Sequence, residues 1–246
     1  TYGSRSLAVG GQAIKKAAER LIEKARVIAA HQLECSVDDL EYVGGAFRVK
    51  GDAEKAQPLA AVAFEAFSAH NLPDGVEPTL QAESTVDPQD FSYPHGTHLA
   101  AVEVDTETGK TTLRTYVCVD DVGVQVNPMI VEGQVHGGLA QGIAQAMYEG
   151  VEYDEDGNLL TASLADYLVP SAADLPSFTT STTETPSTTN PLGTKGVGEA
   201  GTIASTPAII NAIVDALRPM GVTDVQMPAS PQRVWRTLQE AKGGNA

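Results

Sequence analysis

Residues 99–119 read LAAVEVDTETGKTTLRTYVCV. Two runs alternating between apolar and polar residues, Leu99 to Asp105 and Thr111 to Val119, flank the connection Thr-Glu-Thr-Gly-Lys. A period of two puts successive side chains on opposite faces of an extended chain. A short Gly-containing connection lets the second run fold back along the first. An antiparallel pair is expected here, and the rest of the chain is read outward from it.

On the C-terminal side, Asn127-Pro128 starts a new element, and Met129 to Tyr148 is helical in pattern despite several glycines. Residues 177–189 (SFTTSTTETPSTT) read as a β-branched strand, because threonine suits a pleated surface. Ser205 to Leu217 reads as a helix with Pro207 in its first turn, and a last helix runs from about Pro231 to Ala241. On the N-terminal side, Thr1 to Gly11 reads as a loop. Gln12 to Glu34 carries an apolar stripe of Ile14, Ala18, Leu21, Ala25 and Ile28, with charged residues on the other face. Glu41 to Lys50 reads as a hairpin bending at Gly44-Gly45, and Leu59 to Ala69 as a second helix. Helices and antiparallel strands mix without regular alternation, which predicts an α+β fold. Residues 1–246 are expected to form one domain, with a subdivision near residue 120.

The 246 residues carry 16 Lys+Arg against 32 Asp+Glu, a formal charge of −16. This excludes a nucleic-acid or anionic-membrane partner held by bulk charge. It leaves open a local anion site built from backbone N–H groups. Hydrophobic residues at 42% and charged residues at 20% supply a core and a wet surface. Cys35 and Cys118 are too few for a disulfide framework or a cysteine-only zinc site, so a reducing, cytoplasmic setting is expected. No apolar run approaches the about 18 residues of a membrane span, and no signal-type leader stands at the start. The chain opens on Thr1 rather than Met, as expected of a processed subunit or a piece of a longer polypeptide.

Chemistry concentrates in four glycine-rich stretches. In Gly3-Ser4-Arg5-Ser6, ahead of the first helix, backbone N–H groups and hydroxyls could meet a phosphate; a plain helix cap is the alternative. In Gly133-Gln134-Val135-His136-Gly137-Gly138, glycine inside a helix signals close approach of a backbone or a ligand. Gln134 can both donate and accept. Lys195-Gly196-Val197-Gly198-Glu199-Ala200-Gly201 fits neither the Walker pattern nor the dinucleotide fingerprint. It holds one carboxylate, Glu199, between glycines, which suits either a base or an exposed loop acid. Asp120-Asp121 could bind a cation or simply end a strand; no third ligand stands at calcium-loop spacing. The histidines His31, His70, His95 and His98 are scattered, His136 has no second ligand beside it, and no metal-ligand set is read.

Taken in order, TYGSRS (1–6), DDVGVQVNP (120–128), GQVHGGLAQGIAQA (133–146), DYLVP (166–170) and KGVGEAGTIASTPAIINAIVDAL (195–217) resemble a known family. It is the C-terminal part of the molybdenum-binding large subunit of the xanthine oxidase family of molybdenum hydroxylases, nearest its aerobic carbon-monoxide-dehydrogenase-type branch. The resemblance implies a molybdopterin cofactor carrying Mo, in the cytosine dinucleotide form. It implies that Gly3, Ser4, Arg5, Ser6, Gln134 and Lys195, with Gly196, Val197 and Gly198, bind this cofactor. Glu199 is then the base beside molybdenum. FAD and 2Fe-2S centres on partner chains would carry the electrons away. The family's site also needs an upstream region, and its loops are not found in this sequence. Ala200-Gly201 after Glu199 differs from the carbon-monoxide-specific group, which favours a small aldehyde or N-heterocycle as substrate. The competing expectation is a non-catalytic cofactor-binding or assembly module that needs the missing half.

Overall fold

The computed structural model describes residues 2–243, without the side chain of Ala53. Thr1, the first residue of the TYGSRS stretch, lies outside them. The chain divides into two compact units, residues 1–8 with 88–246, and residues 9–87.

In the 9–87 unit, helix α1 (Gln12–Leu33) precedes strands β1 (Leu40–Val43), β2 (Ala46–Val49) and β3 (Asp52–Pro58), and helix α2 (Leu59–Ser68) follows. The strands form one antiparallel sheet in the order β1-β2-β3. The hairpin turns at Gly44 and Gly45, both with positive φ, as two-residue hairpin turns require. Ala25 and Ile28 of the expected α1 stripe enter the core with Leu40, Phe47, Val62 and Ala66. Ile14 stays outside at 72% exposure.

In the larger unit, β4 (His95–Val104) pairs antiparallel with β5 (Thr111–Asp121), the pair expected from residues 99–119, with a register shift between Ala101 and Val102. Strand β6 (Phe178–Thr183) adds to β5 in parallel. It covers only Phe178–Thr183 of the strand expected over residues 177–189. Three helices complete the unit, α3 (Pro128–Met147), α4 (Ala200–Leu217) and α5 (Pro231–Gly243). Asn127 caps α3 by accepting from the Ile130 N–H, with Pro128 at the first helical position. The core brings Tyr116 of β5 against Leu139, Ile143, Ile209, Ile213, Leu217, Val234 and Leu238. The boundaries between the two compact units fall at 8/9 and 87/88, and residue 120 lies within β5.

Glycine explains how α3 and α4 approach so closely. A Cβ on Gly138 would stand 3.0 Å from Gly201 Cα, and one on Gly201 only 2.6 Å from the Val135 carbonyl. A Cβ on Gly142 would collide with the Ser205 hydroxyl. Gly133 and Gly137 face open space. The cluster thus serves packing on one face and leaves the other clear. Gly142→Ala is expected to destabilise by about 1–3 kcal/mol through overpacking. Gly137→Ala is expected to stabilise by about 0.5–1 kcal/mol. Urea melts of the two variants check the pair, and equal effects would contradict it.

Helix α4 starts at Ala200, five residues before the expected Ser205, so Pro207 lies inside it rather than in its first turn. An interior proline costs about 3 kcal/mol in an isolated helix. Here Thr206 Oγ1 donates to the Gly142 carbonyl at 3.2 Å, and packing against α3 keeps the helix continuous. Residues 200–220 are long and apolar enough to cross a bilayer by length and composition, contrary to the expectation that no stretch qualifies. Ile209, Ile213 and Leu217 are nonetheless buried in the core of this unit.

Candidate functional site

A pocket of about 410 Å³ opens in the larger unit where three segments meet. The N-terminal arm contributes Ser4, Ser6 and Leu7. The end of β5 and the start of α3 contribute Val122, Val124, Val126, Asn127, Ile130, Val131 and Gln134. The loop before α4 contributes Lys195, Val197 and Gly198. Five valines, an isoleucine and a leucine make the walls apolar, with two amides, two hydroxyls and the Lys195 ammonium set among them.

The arm does not remain a loop up to α1. A π-helical segment, Ser6–Gly11, runs directly into that helix, and Gly11 caps it without a side-chain bond. Ser6, the first residue of the π-helical segment, lines the pocket. Gly3 and Ser4 both have positive φ, 60° and 53°, which is uncommon for a serine. Ser4 packs closely on the 195–199 loop. A Cβ on Gly196 would stand 2.6 Å from Ser4 Cβ, and one on Gly198 3.2 Å from Ser4 Oγ and 3.6 Å from Gln134 Oε1. These glycines leave the room that Ser4 and Gln134 occupy.

Glu199 follows Gly198 at the pocket's edge and is exposed. Its Oε2 accepts a hydrogen bond from Ser4 Oγ at 3.0 Å. Lys195 Nζ donates to Asp121 Oδ1 at 2.9 Å, with side-chain exposures of 8% and 1%. Asp121 also accepts from the Gly123 N–H and the Thr183 hydroxyl. Burial by itself would raise the Asp121 carboxyl. The bonds from Lys195, Thr185 and Gly123 outweigh burial and hold it well below the usual carboxylate range. Backbone bonds from Lys195 N to Val122 O and from Val124 N to Gly193 O tie the loop to the end of β5.

The neighbouring Asp120 points to a different partner. His98 is hydrogen-bonded at Nε2 to Asp120 Oδ1 (3.1 Å) and at Nδ1 to Tyr116 Oη (2.9 Å). Cys118 Sγ lies 3.8 Å from Asp120 Oδ2. Burial, then the charge of Asp120, pushes the Cys118 thiol up to about 12, so it stays protonated. Histidine, cysteine and aspartate donors thus gather in one place, with both nitrogens of His98 engaged in hydrogen bonds. Reading His98 as a scattered histidine missed this network. The signal was present in the Tyr116, Cys118, Asp120 alternation and in the register that sets His98 opposite Cys118.

Of the residues expected to bind a cofactor, Ser4, Ser6, Gln134, Lys195, Val197 and Gly198 line the pocket. Gly3 shapes the arm and Gly196 is buried against Ser4. Arg5 is not among the lining residues; its guanidinium stacks over the Tyr2 ring at 4.3 Å. The apolar walls suit the faces of a flat heterocycle, and Gln134 suits its edge. Lys195 already has its charge matched by Asp121, so a phosphate here would rest on hydroxyl and backbone donors. Val126 and Ile130 of the lining, with neighbouring Met129, are more than half exposed.

The family profile described as a molybdopterin cofactor-binding domain matches residues 1–176. The carbon monoxide dehydrogenase large chain of Hydrogenophaga pseudoflava is 45% identical over 240 residues, 98% of this chain and 30% of that protein. The nicotine 6-hydroxylase large subunit of Paenarthrobacter nicotinovorans is 37% identical over 240 residues, 97% of this chain and 29% of that one. Among solved structures, a Cu,Mo-CO dehydrogenase superposes with a TM-score of 0.89 at 39% identity, covering 98% of this chain and 30% of the other. Quinoline 2-oxidoreductase from Pseudomonas putida 86 gives 0.86 at 39% identity, covering 98% and 31%. The chain spans about 30% of the length of the curated relatives it matches.

Proposed function

We propose, from the premise that this chain belongs to the molybdopterin cofactor-binding domain family, that it is the cofactor-holding part of a molybdenum hydroxylase with Glu199 as its base. The observation that carries the reading is the convergence of Ser4, Gln134, Lys195 and Gly198 on one pocket, with the Glu199 carboxylate at its edge. These residues come from three segments far apart in sequence, and the pocket needs all three.

Molybdenum on its pterin, when bound, supplies the two-electron oxidation that no side chain here can perform. The chain's own residues bind and orient. Val122, Val124 and Val197 offer faces to a flat ring system, and Gln134 offers an amide to its edge. Ser6 offers a hydroxyl, the Ser4 hydroxyl is held on Glu199 and keeps only its lone pairs free, and the Lys195–Asp121 pair keeps the 195–199 loop in place. Glu199 takes a proton at its carboxylate as the substrate is oxidised with water-derived oxygen. The cytosine dinucleotide form of the cofactor belongs to this reading, and so do FAD and iron–sulfur centres on partner chains in a cytoplasmic complex. The substrate is a small aldehyde, an N-heterocycle or a CO-like molecule. Relatives that carry the names of a nicotine hydroxylase and a quinoline oxidoreductase support the heterocycle class. The exposed Glu199, Val126, Met129 and Ile130 are surfaces for the remaining part of the molybdenum subunit to cover.

Molybdenum and pterin content of the chain assembled with the rest of its subunit tests the reading. One molybdenum and one pterin per chain are expected. A complex free of molybdenum would sink it. Molybdenum bound by a complex that oxidises neither aldehydes nor N-heterocycles would favour a cofactor-binding or assembly module.

A further inference from the structure

Ser4 was expected to serve the cofactor, yet its hydroxyl is already committed within the chain. It donates to Glu199 Oε2 at 3.0 Å. Among the described residues, Ser4 is the hydrogen-bond partner of that carboxylate. Glu199 occupies the N-cap position of α4 with no side-chain capping bond. A carboxylate at a helix start is drawn back toward the unpaired N–H groups of the first turn. Here it is held on the arm instead. The hold is built from both sides. Ser4 is fixed in a left-handed conformation beside Gly3, and Gly196 and Gly198 lack the Cβ atoms that would push Ser4 away.

We infer that Ser4 is a positioning residue for Glu199, fixing one carboxylate oxygen so that the other faces the reacting group as proton acceptor. The inference rests on the assignment of Glu199 as base. A hydroxyl donates one hydrogen and keeps two lone pairs, so Ser4 can still accept a bond from a ligand N–H while it holds Glu199.

The test uses the molybdenum-loaded complex with Ser4→Gly, which suits a left-handed backbone and removes the hydroxyl, and Ser4→Asn, which tolerates that backbone and returns an N–H donor. Ser4→Gly is expected to lower kcat about tenfold to a hundredfold, the range for losing a hydrogen bond to a charged group. KM and the molybdenum and pterin content are expected to stay unchanged, with partial recovery in Ser4→Asn. The double variant Ser4→Gly/Glu199→Gln is expected to be no slower than Glu199→Gln alone, because Ser4 acts through Glu199. Independently of turnover, the infrared carboxylate stretch that disappears in Glu199→Gln should shift in Ser4→Gly. Full kcat in Ser4→Gly, loss of cofactor, or additive effects in the double variant would overturn the inference. A slow Glu199→Gln beside a fully active Ser4→Gly removes the role of Ser4 alone. A fully active Glu199→Gln removes the base assignment, and the role of Ser4 with it.

Discussion

Glu199→Gln in the assembled, molybdenum-loaded enzyme is expected to retain its cofactor and to lose about two to four orders of magnitude in turnover, the contribution of a positioned general base. The amide keeps the shape of the carboxylate, and its oxygen can still accept from Ser4 Oγ. What it cannot do is take a proton. Glu199 lies at the edge of the pocket and is not one of its wall residues, so cofactor binding should survive the change. Steady-state kinetics paired with metal analysis separates the two effects. Unchanged turnover would remove Glu199 as base, and loss of molybdenum would make it a binding residue.

Lys195→Met should unfold much of the advantage of the larger unit. The ion pair with Asp121 is almost wholly buried, and the variant leaves the carboxylate there without its cation. Breaking such a pair from one side costs about 3–5 kcal/mol. Removing both charges, in Lys195→Met/Asp121→Leu, should recover most of that loss, because no uncompensated charge remains. The pair also sets an acid limit. The Asp121 carboxyl is depressed in the fold, so its contribution is fully present above its ordinary value of 3.8 and is lost as pH falls below that. Urea melts of the wild type across this range should show the loss, and Lys195→Met should show much less of it. A variant as stable as the wild type would contradict the pairing.

Much of this was legible because it is local. The alternation in residues 99–119 predicted β4 and β5, the Gly44-Gly45 dipeptide predicted its hairpin, and Asn127-Pro128 predicted the start of α3. The start of α4 was read late because Pro207 looked like a first-turn proline, and only packing on Gly138 and Gly142 explains a helix that runs through it. Strand β3 was missed because DAEKAQP shows no clean alternation; it is held by its pairing with β2. The pocket was legible as motifs, since its glycines and Gln134 stand out in the sequence. Its pairings were not. Lys195 with Asp121 and Ser4 with Glu199 each join residues more than seventy positions apart, and no periodicity or spacing rule reaches that far.

Anomalous diffraction at the molybdenum edge, from crystals of the chain assembled with the rest of its subunit, tests the central claim most directly. The peak is expected beside the Glu199 carboxylate, with the pterin against Ser4, Gln134 and Gly198. A molybdenum peak remote from Glu199, or a pterin seated away from this pocket, would contradict it.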